Sequence, residues 1–198
     1  MPRKVIVVIG FMVCFSVVSC NLFKTRTPDE PSQQSSNYIP PTEPKLVFQN
    51  MVNAFHDMNY VNYLSSFADT VNSDFTFTFE PTPQARLRYS SSFLEWTKLS
   101  EQQYFTALLS KLQTGTSPTL EFLTSTPQGT TSDSIQYEVT YRLTVPLTQS
   151  NIPIQVQGSA QFFLVSDHKR NWVIRRWDDF AQNQNDSTWS DLKGSFAQ

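Results

Sequence analysis

Side chains suited to acid–base chemistry are few in this 198-residue chain, and they are scattered. There are two histidines. His168 lies in the charged stretch Asp167-His-Lys-Arg-Asn171, a turn that solvent covers. His56 follows Phe55 of an apolar stripe, at the boundary of a buried face. With Asp57 or Asp69 beside it, His56 could serve as a general base; a boundary histidine with no chemical role is the favoured reading. Asp69 and Asp74 flank a loop and read as cap or turn residues. Asp178 and Asp179 either close the mouth of a pocket or pair with Arg142, Arg175 or Arg176. No catalytic set is assigned on this basis, and His56 and Asp69 are its weak candidates.

Aromatic residues are the richer resource, at 14% of the chain. Tyr60, Tyr63, Phe75, Phe77, Tyr137, Tyr141, Trp172 and Trp177 are candidates for lining an apolar ligand pocket, which needs large apolar walls with a few polar tips. The same residue types also fill cores between a sheet and its helices, keeping their polar ends at the rim. No acidic or histidine pair has metal-ligand spacing on a helix, so neither metal nor other cofactor is expected. Gly10, Gly115, Gly129, Gly158 and Gly194 form no phosphate-cradling cluster, and no Gly-x-Ser-x-Gly elbow is present. Arg86 and Arg88 make a basic patch far below a nucleic-acid footprint, so nucleic acid is not expected as a partner.

Charge is sparse: 15 basic residues stand against 17 acidic, together 16% of the chain, where about 25% is usual. This excludes a coiled coil and a strongly basic binder. Both cysteines, Cys14 and Cys20, fall near the N-terminus, so the rest of the chain has no disulfide or thiolate site.

The N-terminus reads as an address. Arg3 and Lys4 precede an apolar run from Val5 to Val18, about 14 residues and short of the ~20 that a spanning helix needs. It matches the apolar region of an export signal. The run ends Val17-Val18-Ser19-Cys20, which resembles the lipobox of bacterial lipoproteins. That resemblance implies cleavage before Cys20 and acylation of its thiol. Two or more acyl chains anchor stably, whereas one is marginal. Asn21 stands where an Asp would resemble the inner-membrane retention signal of enterobacteria, so the implied location is the outer membrane, facing the periplasm. Residues 1–19 are therefore read as signal and 20–43 as a lipidated cysteine with a tether rich in Pro, Ser and Gln. Such a composition cannot bury enough apolar surface to offset ordering, and as a coil it spans about 25–30 Å.

From residue 44 to 198 the patterns are those of one folded domain. Leu46, Val47, Met51, Val52, Phe55 and Met58 recur at helical spacing, with Thr42 as cap and Pro44 in the first turn. A second short helix from about Asn59 presents Tyr60, Tyr63, Leu64 and Phe67 on one side. Asp74–Glu80 alternates strictly, which predicts a strand burying Phe75, Phe77 and Phe79. Ser100-Glu-Gln-Gln103 has the form of a capping box opening a helix to about Gln113. Four long strands follow, at 119–125, 135–145, 154–162 and 172–177, with turns at Pro127–Gly129 and Asp167–Asn171. Short connections make them antiparallel. Thr188–Phe196 reads as a capped turn of helix, with Trp189, Leu192 and Phe196 docking on the domain or exposed as an anchor for a partner.

This order of elements is similar to the nuclear transport factor 2-like (cystatin-like, cone-shaped) superfamily. The carrying segments are Leu46–Phe55, Tyr63–Asp69 running into Phe75–Phe79, and Trp172–Asp178. The resemblance implies an α+β fold, with a strongly curved antiparallel sheet of four long strands and a short one wrapped around the N-terminal helices. The superfamily holds isomerases, dehydratases, cyclases and binding adaptors, so fold alone does not choose among them. Three functions are expected in order: a membrane-anchored, non-catalytic module binding an envelope protein or a small apolar ligand; an isomerase or dehydratase using a His/Asp pair; and a structural subunit whose pocket is filled by side chains.

Overall fold

The computed structural model describes residues 37–149 and 151–197. The apolar run, Cys20 and most of the expected tether lie outside them. The elements are α1 (Pro44–His56), α2 (Tyr60–Leu64), β1 (Thr78–Glu80), α3 (Pro83–Arg88), α4 (Lys98–Ser110), β2 (Thr119–Thr130), β3 (Ser134–Thr144), β4 (Gln155–Ser166), β5 (Trp172–Phe180) and α5 (Trp189–Phe196). The strands form one five-stranded sheet in the order β1-β5-β4-β3-β2. The four long strands make an antiparallel meander, and β1 joins its end parallel to β5. The sheet is therefore mixed, where the sequence suggested antiparallel pairing throughout.

Alternation on the long strands sends one row of side chains inward: Ile135, Tyr137, Val139, Tyr141 and Leu143 from β3, and Val156, Ala160, Phe162 and Leu164 from β4. Helix α1 lies against this face and touches both β2 and β5, so the sheet wraps around it. Phe48 packs edge-on to Phe122 and Tyr137 at 5.2 Å each and to Phe162 at 5.4 Å. Burying a side chain of that size stabilises by about 1.5–3 kcal/mol. Register shifts between Phe122 and Thr124, and between Phe163 and Leu164, are bulges that increase bend and twist.

Several local expectations change for identifiable reasons. Pro127–Gly129 is not a turn: β2 runs on to Thr130, with Gly129 at φ +44° accommodating a further register shift. The turn comes at Thr131–Ser134, closed by the Thr131 amide donating to the Ser134 carbonyl at 2.8 Å. The 74–80 strand contracts to three residues, because the Ser73 hydroxyl contacts the Asp69 and Phe75 carbonyls at 2.9 and 3.0 Å and holds the preceding segment in a loop. Phe75 consequently packs on a small separate cluster of Ala68, Val165 and Val173, while Phe77 and Phe79 stay in the main core.

The capping box of α4 is Thr97 with Ser100, not Ser100 with Gln103; the Ser100 hydroxyl accepts from the Thr97 amide at 3.2 Å. Glu43, not Thr42, is the first flanking residue of α1. Helix α3 follows Thr82, whose hydroxyl accepts from the Ala85 amide at 3.2 Å; nothing in the apolar pattern announced it. Residues 37–43, read from the sequence as the end of the tether, lie against the domain. Buried Asn50 holds Ile39 twice, accepting from its amide at 2.9 Å and donating to its carbonyl at 2.6 Å. The Trp172 amide donates to the Pro41 carbonyl at 2.7 Å.

Candidate functional site

The concave face of the sheet is where a ligand would sit, and helix α5 occupies it. Its start is set by the Thr188 amide donating to Asp191 at 3.0 Å, a reciprocal cap that places an acid in the first turn. One turn of α5 then enters the core. Trp189, Leu192 and Lys193 each have 0% exposed surface, a fact that decides the character of the site. The Trp189 ring lies 4.6 Å from Trp177, 5.3 Å from Tyr141 and 5.6 Å from Phe55, so it touches β5, β3 and α1 together. Its indole N–H donates to the Tyr104 hydroxyl of α4 at 2.9 Å.

Two glycines make this fit. The Tyr141 hydroxyl reaches across the opposing Gly158, where a Cβ would lie 2.6 Å from that oxygen. Gly194 presses on the Tyr89 ring, with 2.3 Å between a would-be Cβ and the nearest ring carbon.

Two buried polar groups surround the helix. The first centres on Asp179, near the end of β5. One carboxylate oxygen accepts from the Tyr141 hydroxyl at 2.7 Å, and the other from the Ser190 amide at 2.8 Å and hydroxyl at 2.5 Å. Burial raises the Asp179 carboxyl above the usual range, against the opposing pull of Ser190 and Tyr141. The Tyr141 hydroxyl, raised well above its usual value by burial and then by Asp179, also accepts from the Trp189 amide at 2.9 Å.

The second group centres on Glu101 of α4, which also has 0% exposed surface. It accepts from the Trp96 indole and the Tyr63 hydroxyl at 2.8 Å each and from the Lys193 ammonium. That ammonium lies 3.6 Å from the Trp177 ring centre and 3.7 Å from Phe79, with Trp96 at 5.5 Å. Burial pushes the Lys193 amine down to about 8, although Glu101 pulls upward. Burial, and then the Glu101 charge, raises the Tyr63 and Tyr104 hydroxyls well above their usual value.

The sequence-based candidates divide accordingly. Tyr63, Tyr141 and Trp177 touch this interior, and Phe77 and Tyr137 fill the core beside it. Tyr60 is exposed, Trp172 half-buried, and Phe75 sits in the separate cluster. His56 faces solvent, its side chain 78% exposed, and contacts Asp57 at 2.9 Å. That hydrogen bond outweighs slight burial and lowers the Asp57 carboxyl. Asp69 is elsewhere, bound to Lys98 at 2.6 Å. Burial would raise the Asp69 carboxyl, but hydrogen bonds from Lys98 and the Asn72 amide leave it lowered. His56 and Asp69 thus have separate partners and form no pair. Asp178, itself buried, meets the half-exposed Arg176 at 2.7 Å, and His168 meets Asp74 at 3.2 Å at the surface. Clefts of about 200 and 440 Å³ lie along Asp69–Lys98 and the β1 edge, the second walled in part by Phe79 and Trp96.

Known structures carry the same architecture. A candidate scytalone dehydratase from Novosphingobium aromaticivorans superposes with a TM-score of 0.52 at 6% identity, covering 68% of this chain and 78% of its own. A candidate aromatic ring hydroxylase from the same organism gives 0.51 at 12% identity, covering 75% and 92%. A nuclear transport factor 2-like superfamily protein from Salmonella enterica serovar Typhimurium gives 0.49 at 10% identity, covering 70% and 88%. No family model matches the sequence, and no curated protein does. The domain has the nuclear transport factor 2-like, cystatin-like cone fold. At these identities the likeness establishes the fold alone.

Proposed function

We propose that this chain is a lipid-anchored protein of the bacterial envelope whose folded part is a non-catalytic interaction module. The basic start, the short apolar run and Cys20 support the anchor, and the outer membrane facing the periplasm is the location that Asn21 favours. The observation that carries the non-catalytic reading is the filled cone. Trp189, Leu192 and Lys193 take the space a substrate would need, and Glu101 and Asp179 are satisfied by the chain's own donors. Acid–base catalysis requires a group within hydrogen-bond reach of a bound substrate, and neither interior carboxylate faces such a space. Recognition of an envelope protein then falls to the outside of the domain.

The isomerase or dehydratase reading draws on the Tyr63–Glu101 and Tyr141–Asp179 pairs and on neighbours named as a dehydratase and a hydroxylase. It requires α5 to leave the cone.

Fractionation of bacteria expressing the full chain tests the anchor. Wild type is expected in the membrane fraction, with Cys20 as its acylated first residue; Cys20→Ala is expected to remain unprocessed. Acylation or processing that survives Cys20→Ala would overturn the anchor. Native mass spectrometry of the protein released in mild detergent tests the filled cone. The expected mass is that of the lipidated chain alone, and a stoichiometric small molecule held inside would overturn the filled cone of the isolated protein.

A further inference from the structure

The place occupied by the Lys193 ammonium has the construction of a cation receptor. Trp177 and Phe79 present rings within 4 Å of the nitrogen, and Glu101 supplies one carboxylate oxygen. Aromatic faces attract ammonium ions through their quadrupoles, and desolvated cages of this kind recognise organic ammonium ligands. The carboxylate is held rigid by Trp96 and Tyr63 from two other parts of the chain.

Packing does not explain why a lysine stands here. An apolar side chain of similar length would fill the same volume without desolvating a charge, and buried ion pairs are commonly no better for stability than such replacements. Burial lowers the Lys193 amine to about 8, so the charge is held against an opposing desolvation cost. A buried charge of this kind is best attested as a device of specificity or switching.

We propose that the cone is a binding site for small organic ammonium ions, kept shut by α5, with Lys193 as a tethered stand-in for the ligand. This rests on the reading that α5 fills the cone, and it names what displaces it. A free ammonium ion that takes the cage releases Lys193, and with it Trp189 and Leu192 from the concave face. The ligand thereby changes the surface that a partner meets. Because one ligand can shift the equilibrium only by its differential affinity, the ion must bind the open form and be excluded from the closed one, as occupancy of the cage by Lys193 ensures.

Two measurements on the full chain test this. In the first, Lys193→Ala empties the cage while leaving the rest of α5, and tryptophan fluorescence follows titration with propylammonium chloride or with propanol. Saturable change in the millimolar range with propylammonium alone supports the proposal; equal responses, or none, overturn it. In the second, wild type is followed by hydrogen exchange with and without tetramethylammonium chloride, against sodium chloride at equal ionic strength. Exchange at residues 189–196 is expected to quicken at least several-fold, while the β3 and β4 amides are unchanged. Unchanged exchange in α5, or quickening of all elements alike, overturns it. The second measurement does not depend on the variant's folding. Failure of both with α5 still protected would leave the filled cone intact and remove only its ligand.

Discussion

Trp189→Ala is the perturbation that most sharply weighs the role of α5. The indole is fully buried among Phe55, Tyr141 and Trp177, with centroid distances of 4.6–5.6 Å. Truncating a buried tryptophan removes its transfer free energy and leaves a cavity, together about 3–5 kcal/mol. The Tyr104 hydroxyl also loses its indole donor, a share of up to about 1 kcal/mol. The loss is therefore about 3–6 kcal/mol. For a domain of this size each kcal/mol moves Tm by about 2–4 °C, which gives a fall of roughly 6–24 °C. Urea unfolding followed by circular dichroism measures it, because a change of midpoint at constant m-value reports stability rather than compactness. Free indole added at millimolar concentration is expected to recover part of the loss by entering the apolar cavity. A loss within about 0.5 kcal/mol, the range of ordinary surface substitutions, would mean that Trp189 is not in the core.

Other outcomes follow from the same geometry. Gly194→Ala drives a methyl group into the Tyr89 ring and is expected to cost about 1–3 kcal/mol by overpacking, read as a lower urea midpoint. Gly158→Ala displaces the Tyr141 hydroxyl from Asp179 and the Trp189 amide; a loss of similar size is expected, together with faster hydrogen exchange in α5. The pH dependence has a definite sign. The Lys193 amine titrates at about 8 in the folded protein and at about 10.4 when unfolded. The unfolded chain therefore binds more protons between those values, and Lys193 makes stability rise as pH increases from about 8 toward 10. Above about 10 the raised hydroxyls of Tyr63, Tyr104 and Tyr141 act oppositely, since unfolded phenols ionise first. Urea midpoints of wild type and Lys193→Met across pH 7–10.5 check this: the variant is expected to lack the rise.

Much of the architecture is legible in local patterns. Periodicity locates α1, the four long strands and the docking helix, because each buries one face and repeats its apolar residues at the matching interval. Tyr63, Tyr141 and Trp177 stand out as interior aromatics for the same reason. The polar heart of the cone is not legible. Glu101 and Lys193 are 92 residues apart, and each alone looks like an ordinary surface charge on a helix. The one available signal is that Lys193 adjoins Leu192 on a helix so strongly aromatic, and that signal is weak. Phe75 misleads because alternation describes a strand only where the backbone is free to pair, and Ser73 diverts it into a loop. The Pro127–Gly129 stretch misleads because a glycine at positive φ serves a bulge as readily as a turn.

Reductive methylation of the native protein at pH 8, read residue by residue by mass spectrometry, tests the filled cone most directly. Lys45, Lys111 and Lys169 lie on the surface, whereas Lys193 has no exposed atoms. Burial is what lowers the Lys193 amine, so a Lys193 open to solvent would lose that effect and be modified alongside them, since only the neutral amine attacks. Full modification of the three surface lysines is expected, with none at Lys193 until the chain is unfolded. Modification of Lys193 in the native protein at a rate comparable to theirs would contradict the filled cone.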